Sequence, residues 1–188
     1  MALLNRVRVE WNGLGSGGTG VNTFYFVAGA SGFVADLIDF YTGLQPYIPA
    51  GVGIGILNAG DVINDATGAL AGTWTDGTTA GVGGGGSNLH PGGVGVRIRW
   101  NTGGLTHGRR VRGSTFIVPI SSGSFDSDGT IKPADLAVME STAQDLVTAR
   151  GGDMVILTRA VGGAGGASHV VLSATVPDQV SWLRSRRT

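Results

Sequence analysis

Gly13, Gly15 and Gly18 have the spacing of a dinucleotide-binding loop and follow a predicted strand. That chemistry needs a helix directly after the glycines, because the amides of the helix N-terminus bind the pyrophosphate. Here the aromatic segment Val21 to Val27 follows instead, and its composition is typical of a strand. We therefore interpret the loop as the turn of a β-hairpin. The glycine run 83–86 lacks the Lys-Ser/Thr pair of a phosphate-binding loop and is interpreted as a flexible loop.

Two further groups of residues have types that suit metal binding or catalysis. His90, His107 and His169 lie far apart, and residues 77–125 contain no carboxylate, so surface or packing roles are favoured for them. Asp126 and Asp128 resemble the opening of a calcium loop that lacks its closing glutamate. We retain them as calcium candidates, with aspartates that bond turn amides as the favoured alternative. We expect no catalytic residue, no cofactor and no enzymatic activity.

The arginines are the most informative charged residues. The formal net charge is zero, but it is the sum of four segregated blocks. Residues 1–76 carry −4, residues 77–125 carry +5, residues 126–153 carry −4 and residues 154–188 carry +3. Only one of the thirteen cations is a lysine, and arginine is favoured where a planar fork must bind phosphate or carboxylate. The candidate binding residues are Arg97, Arg99, Arg109, Arg110, Arg112, Arg184, Arg186 and Arg187.

Two interpretations of these arginines remain open. They bind either the phosphates of nucleic acid or the acidic residues of a neighbouring subunit. The alternating blocks favour complementarity between subunits, because a genome-binding protein usually has a net positive charge or a basic arm. A solvated basic face is the third alternative, and for Arg6 or Arg8 alone we prefer it.

The composition limits the classes of protein that this chain can belong to. The 188 residues include 35 glycines and no cysteine, with 41% hydrophobic residues. The hydrophobic content argues against disorder, and the absence of a three-residue glycine period excludes collagen. Without cysteine there is no disulfide, thiolate metal site or iron–sulfur cluster. We expect one domain over residues 1–188, with no signal peptide and no membrane partner.

The elements that position these residues follow from hydrophobic periodicity. Alternation in residues 5–11 is typical of a half-buried strand, and the spacing in residues 31–44 predicts a helix with Ser31 as its cap. Pro133 and Gly151 bound a second helix, 133–150. Residues 61–65 are predicted to form a loop or a short pairing, and 76–93 a long loop. The eight predicted strands are 5–11, 21–27, 51–57, 68–75, 94–100, 112–120, 154–159 and 169–176.

This order predicts a mainly β fold. Strands do not alternate regularly with helices, so a doubly wound parallel sheet fits poorly. We predict an eight-stranded antiparallel jelly-roll sandwich with two inserted α-helices. In residues 51–57 glycine alternates with Val and Ile, which predicts a glycine face that receives a close neighbour.

Several short motifs resemble those of a known group of proteins. They include Arg97-Ile-Arg-Trp100, residues 107–119, Asp128-Gly-Thr130, Met154 to Arg159 and Ser173 to Asp178 with Arg184-Ser-Arg-Arg187. Together they resemble small jelly-roll capsid proteins of uncultured circular single-stranded DNA viruses and related phage-like elements. The resemblance implies a viral structural protein, located in the virion, that assembles with itself into an icosahedral shell of roughly sixty copies. The chain lacks the usual arginine-rich N-terminal arm, so genomic single-stranded nucleic acid is an open partner.

Two other classes of function are weighed against a capsid subunit. One is a phage accessory or decoration protein, or a carbohydrate-binding jelly-roll module whose Trp74, Trp100, Trp182 and Tyr47 stack on sugars. For these aromatics we favour burial in a core or interface. The other is an enzyme, which would need a polar pocket around the histidines.

Overall fold

A computed structural model describes residues 3–14, 18–77, 80–87, 95–101, 113–119, 122–124, 131–150, 153–157 and 169–173. Within these ranges the protein is mainly β, with a curled antiparallel six-stranded sheet, a four-stranded sheet and two α-helices. The strands are β1 Leu3–Leu14, β2 Gly18–Val27, β3 Gly53–Ile56, β4 Ala59–Asn64, β5 Leu70–Thr75, β6 Ala80–Gly83, β7 Gly95–Asn101, β8 Gly113–Pro119, β9 Asp153–Leu157 and β10 His169–Ser173. The helices are α1 Phe33–Leu44 and α2 Pro133–Arg150.

Strand β1 is the centre of the six-stranded sheet, which we call the first sheet. One edge of β1 pairs with β2, from Leu4 opposite Val27 to Leu14 opposite Gly18. The other edge is shared, because residues 3–6 pair with β4 and residues 9–12 pair with β3. Strand β5 then pairs with β4, and β6 pairs with β3. The pairing of β1 with β2 confirms the β-hairpin that the sequence predicts on either side of the first glycine loop.

The four-stranded sheet, called the second sheet, has the order β10-β9-β7-β8. Its hairpins are β7–β8 and β9–β10, and β7 pairs with β9 between them. Strand β8 runs alongside β2 of the first sheet, and α2 lies against β9 and β10. Both sheets are antiparallel throughout their described pairings.

The inner face of the first sheet forms the core with α1. The period of two in β1 buries Val7, Val9 and Trp11, while Arg6 and Arg8 point to the opposite, outer face. Aromatic contacts then join the sheet to the helix. Trp11 lies 5.4 Å from Tyr41 between ring centroids, Phe26 lies 5.6 Å from Phe33, and Phe33 lies 4.9 Å from Trp74. Such pairs add about 0.5–1.5 kcal/mol each beyond their buried area.

Helix α2 packs against α1 through one apolar stripe. Met139, Ala143, Leu146 and Val147 follow helical spacing and are all buried in the same core. The two backbones approach closely at Gly43 of α1, where a Cβ atom would lie 2.6 Å from Cγ2 of Thr142.

Within the described ranges, neither helix is long and apolar enough to span a membrane.

The predicted helices are confirmed, but the predicted cap of the first one is wrong. Helix α2 has the expected bounds, and α1 covers all but two residues of the predicted range. The N-cap of α1 is Gly32, in the left-handed region at φ 77°, and this glycine has no side chain with which to cap the helix. Ser31 instead offers its carbonyl oxygen to Arg150.

The strand count is also corrected, because the described residues contain ten strands and not eight. Residues 59–64 form β4, which overlaps the loop or short pairing predicted over residues 61–65, and β6 lies inside the predicted loop 76–93. Strand β6 is the glycine-rich Ala80-Gly-Val-Gly83, which has little intrinsic strand propensity and is held by its pairing with β3. Such a strand is decided by its neighbour, not by its own composition.

Replacing Leu37 with alanine tests the core. Leu37 is fully buried at the centre of α1, so we expect Leu37→Ala to lower the free energy of unfolding by about 2–5 kcal/mol. Val138 on α2 is 44% exposed, and Val138→Ala should change it by less than about 0.5 kcal/mol. Urea denaturation followed by circular dichroism measures both. Equal effects of the two substitutions would contradict the described core.

Candidate functional site

Two of the predicted arginines have a described backbone position. Arg97 and Arg99 lie on β7, one of the two inner strands of the second sheet, which pairs with β8 and β9. The Cα register places Arg97 opposite Ile117 and Leu157, and Arg99 opposite Thr115 and Val155. None of these four paired residues is acidic, so neither arginine has a carboxylate at a position paired with it.

Of the other predicted site residues and histidines, His169 is described: it is the first residue of β10, and its Cα is paired with that of Leu157. The rest lie outside the described residues. The undescribed positions are Arg109, Arg110, Arg112, Arg184, Arg186 and Arg187, the calcium candidates Asp126 and Asp128, and His90 and His107.

The cations whose side chains are described bind groups of their own chain. Arg6 forms an ion pair with Asp61 across two paired strands, and Arg8 lies 3.6 Å from Glu10. Lys132 donates to the backbone oxygen of Gly123 at 2.6 Å. For Arg6 and Arg8 we predicted a merely solvated basic face. The structure modifies this prediction, because both side chains have acidic neighbours on the same sheet face.

Arg150 connects the end of α2 to the start of α1. Its guanidinium donates to Asp36 of α1, and it also donates to the backbone oxygen of Ser31 at 2.9 Å. The Arg150 side chain is only 12% exposed, so this contact is better shielded from water than the pairs of Arg6 and Arg8. It holds the two helices in one relative position.

The helices also carry acidic side chains that the described cations do not neutralise. In the described part of the chain, no ion pair involves Asp39 of α1 or Asp135, Glu140 and Asp145 of α2. These residues come from the two acidic blocks of the sequence. The tertiary structure therefore brings both acidic blocks together on one helix pair.

A cavity of about 200 Å³ lies between α1 and α2, and we call it the acidic groove. Asp36, Asp39 and Asp145 contribute its carboxylates, Ala149 contributes exposed apolar surface, and the buried side chains of Phe40 and Leu146 form its floor. Its full lining is Asp36, Asp39, Phe40, Thr142, Asp145, Leu146 and Ala149. Carboxylates beside apolar surface suit a guanidinium with its aliphatic stem. The side chains in the described ranges form no cluster of three or more His, Asp or Glu that could hold a metal ion.

Buried polar groups in the core have a structural role. Burial raises the pKa of Tyr41 far above its usual value, and the amide of Asn22, which donates to its hydroxyl at 3.3 Å, opposes this rise only in part. Tyr41 is therefore neutral throughout the physiological range of pH. It fixes the inner side of α1 to β2 without being available for proton transfer at the surface.

The aromatics proposed for sugar stacking are placed differently by the structure. Trp74 is buried, packs on Phe33, and donates from its indole to the backbone oxygen of Arg6 at 3.1 Å. Tyr47 is half-buried and packs against the core. The favoured interpretation of these two as packing residues is confirmed. Trp100 lies on β7 and Trp182 lies outside the described residues.

Sequence reasoning missed the acidic groove. Asp36 and Asp39 stand three residues apart on a predicted helix, so their shared polar side was readable. Their proximity to Asp145, more than a hundred positions later, depends on how the two helices pack. Comparison of the chain with known protein families, with curated proteins and with solved structures gives no match.

Two matched arginine substitutions test the helix contact. We expect Arg150→Ala to lower the free energy of unfolding by about 1–2 kcal/mol, because Asp36 loses a partly buried charged partner. Arg8→Ala removes a half-exposed, looser pair and should cost about 0.5 kcal/mol or less. Chemical denaturation measures both, and a double-mutant cycle with Asp36→Ala isolates the pair. An Arg150→Ala effect no larger than that of Arg8→Ala would contradict this contact.

Proposed function

We propose that this chain is a viral structural protein, a capsid subunit that assembles with itself into a small closed shell in the virion. The observation that carries the proposal is the acidic groove, together with arginine-rich segments elsewhere in the same chain. The groove gathers carboxylates from both acidic blocks, while residues 77–125 contain five arginines and no acid. Opposite charges on different surfaces favour contacts between copies.

The chemistry of arginine supports contact between subunits at this groove. A guanidinium binds a carboxylate through two parallel hydrogen bonds, which gives direction as well as energy. Its aliphatic stem can pack on Ala149 and on the methyl group of Thr142, which line the same cavity and are exposed and half-buried. A groove on one copy and arginines on the next form a heterologous contact, and such contacts close into rings when the rotation between copies allows it.

The same arginines have a second proposed partner. Arg97, Arg99, Arg109, Arg110, Arg112, Arg184, Arg186 and Arg187 form the set that would contact genomic single-stranded nucleic acid if their surface faces the interior of the shell. Phosphate contacts of this kind need no base recognition and weaken as salt rises. The acidic groove offers a candidate binding surface for the arginines of a neighbouring subunit, so we place that contact first.

Within the mainly β class, the specific fold that we propose is an eight-stranded jelly roll with two inserted helices. Two antiparallel sheets with helices between the strands support it. The described pairings of β1 are with β2, β3 and β4. These pairings and the local hairpins β1–β2, β4–β5, β7–β8 and β9–β10 join strands that are near one another in the sequence, which counts against it. The proposed function therefore rests on the charged surfaces and not on jelly-roll topology.

The alternative class is an accessory or decoration protein, or a carbohydrate-binding module. The burial of Trp74 in the core removes one of the aromatics on which sugar binding depended. A decoration protein would form a small oligomer that attaches to an existing shell. It differs from a capsid subunit in the particle that the purified chain forms alone.

The purified recombinant chain tests the proposal directly. We expect size-exclusion chromatography and negative-stain microscopy to show closed particles at low salt. Raising the salt from 0.1 M to 1 M shortens the screening length from about 10 Å to about 3 Å, so the particles should dissociate. A 19.1 kDa monomer at every salt concentration and pH would contradict the proposal. A small oligomer at every condition would favour the decoration protein.

Charge reversal tests the groove itself. Asp145 and Glu140 both lie on α2, but only Asp145 lines the acidic groove. Asp145→Lys should weaken assembly at least tenfold, measured as the protein concentration at which half of the chain is in particles. Glu140→Lys makes the same change in net charge and is the matched control. Equal assembly of the two variants would exclude the groove as a subunit contact, and circular dichroism confirms that both are folded.

A further inference from the structure

We propose that the acidic groove binds residues Arg184-Ser-Arg-Arg187 of its own copy, which we call the arginine segment. The carboxylates of the groove are those of Asp36, Asp39 and Asp145. Asp39 and Asp145 are exposed, so the groove is open to a further side chain at these two positions. Carboxylates that share one groove repel one another, and a guanidinium placed beside them offsets that repulsion.

The groove already holds one guanidinium of this chain. Arg150 donates to the carboxylate of Asp36 and to the backbone oxygen of Ser31, and its side chain is only 12% exposed. Asp39 and Asp145 line the same cavity, and neither has an ion pair with a cation in the described part of the chain. Further arginines therefore extend a binding mode that the groove already shows at one end.

The register of the second sheet directs the chain towards this groove. Ser173, the last residue of β10, is paired with Asp153, the first residue of β9. Asp153 follows Arg150 by three residues, which span at most about 11 Å, and a paired Cα lies about 5 Å away across the ladder. The Cα of Ser173 is therefore within about 16 Å of the Cα of Arg150, at the end of α2 that lines the groove.

The covalent length of the chain is sufficient for a contact within one copy. Arg184 follows Ser173 by eleven residues, which extend to at most about 36 Å. This length is more than twice the separation of Ser173 from Arg150. Attachment to the same chain gives the arginine segment an effective concentration on the order of 1 mM at the groove, so weak individual contacts are sufficient.

The other arginine-rich stretch begins farther from α2. Arg109, Arg110 and Arg112 lie between β7 and β8, and β8 runs alongside β2 of the first sheet. Helix α2 instead lies against β9 and β10, and β10 is the edge of the second sheet opposite to β8. The chain that follows β10 is therefore the nearer source of arginine for the groove.

The internal contact also regulates the proposed assembly, and this consequence rests on the proposed function. A groove that holds its own arginine segment is closed to the arginines of a neighbouring copy. The two contacts therefore compete, and assembly requires the segment to leave the groove. The arginines that remain for the neighbour are those within residues 97–112.

Cross-linking within one copy tests the internal contact, and the chain has no cysteine to interfere. Ser185→Cys is combined with Ala149→Cys in the groove, or with the control Ala137→Cys, which is also exposed on α2 but lies about 18 Å along the helix. Dibromobimane, which joins only neighbouring thiols, is added below the concentration at which particles form. We expect the intramolecular product to form at least tenfold faster with Ala149→Cys.

Two outcomes of this experiment would overturn the internal contact. Equal rates at Ala149→Cys and Ala137→Cys would show that the groove does not select the arginine segment. Covalent dimers in place of the intramolecular product would assign the segment to the groove of a neighbouring copy.

Neutral groove variants separate recognition of charge from proximity alone. Asp39→Asn with Asp145→Asn should slow the cross-link of Ala149→Cys at least fivefold, because the arginines lose their carboxylates. Asp135→Asn with Glu140→Gln makes the same change in net charge outside the groove and should leave the rate unchanged. Equal rates in the two variants would exclude the groove carboxylates as the binding groups and overturn the proposal.

Substitution of the arginine segment tests the regulation. Arg184→Gln, Arg186→Gln and Arg187→Gln together should lower at least threefold the protein concentration at which half of the chain is in particles, because the groove is then free for a neighbour. Substitution of lysine at the same three positions keeps the charge and should leave that concentration within a factor of two. An unchanged or higher concentration in the glutamine variant would overturn the competition.

These results separate the internal contact from the proposed function. The intramolecular cross-link at Ala149→Cys in a chain that forms no particle supports the contact and contradicts the capsid proposal. Particles that form without that cross-link leave the capsid proposal in place and overturn the contact.

Discussion

The alternation of side chains along β1 is the constraint on which the rest of the structure depends. This strand is paired on both edges, with β2 on one side and with β3 and β4 on the other. A slip of one residue in any of these pairings would move Val7, Val9 and Trp11 from the core to the outer face. Because α1 packs on these three residues and their neighbours in β2, the register of β1 also determines where the helix lies.

The helix pair follows from that arrangement. Helix α1 covers the inner face of the first sheet, and α2 covers α1 through its own apolar stripe. The close approach at Gly43 and the contact of Arg150 with Asp36 and Ser31 hold the two helices together. Their polar sides then meet, which produces the acidic groove. The candidate binding surface is thus a consequence of how the core is packed.

The zero net charge takes on a different meaning in the folded protein. Among the described side chains, arginines and lysine bind groups of their own chain, while several helix carboxylates have no ion pair. In the proposed assembly, arginines of a neighbouring copy supply the opposite charge. The two faces of the first sheet also differ in character. The inner face forms the core, and the outer face carries paired charges, exposed apolar residues and glycines.

Local signals in the sequence predicted much of the fold but not its arrangement. The period of two in residues 5–11 and the helical period with Pro133 in residues 133–150 are properties of short segments, and both elements are confirmed. The calcium candidates and six of the eight arginines fall outside the described residues, so those hypotheses stay predictions. Strand β6, the ten-strand count and the N-cap at Gly32 escaped prediction, because each depends on a partner distant in sequence or on a backbone angle. The sequence alone determined which side chains were acidic, apolar or absent. Only the tertiary structure decided that Asp39 and Asp145 would line the same groove and that Leu70 and Gly83 would share one outer face, because those relations are set by packing and strand register.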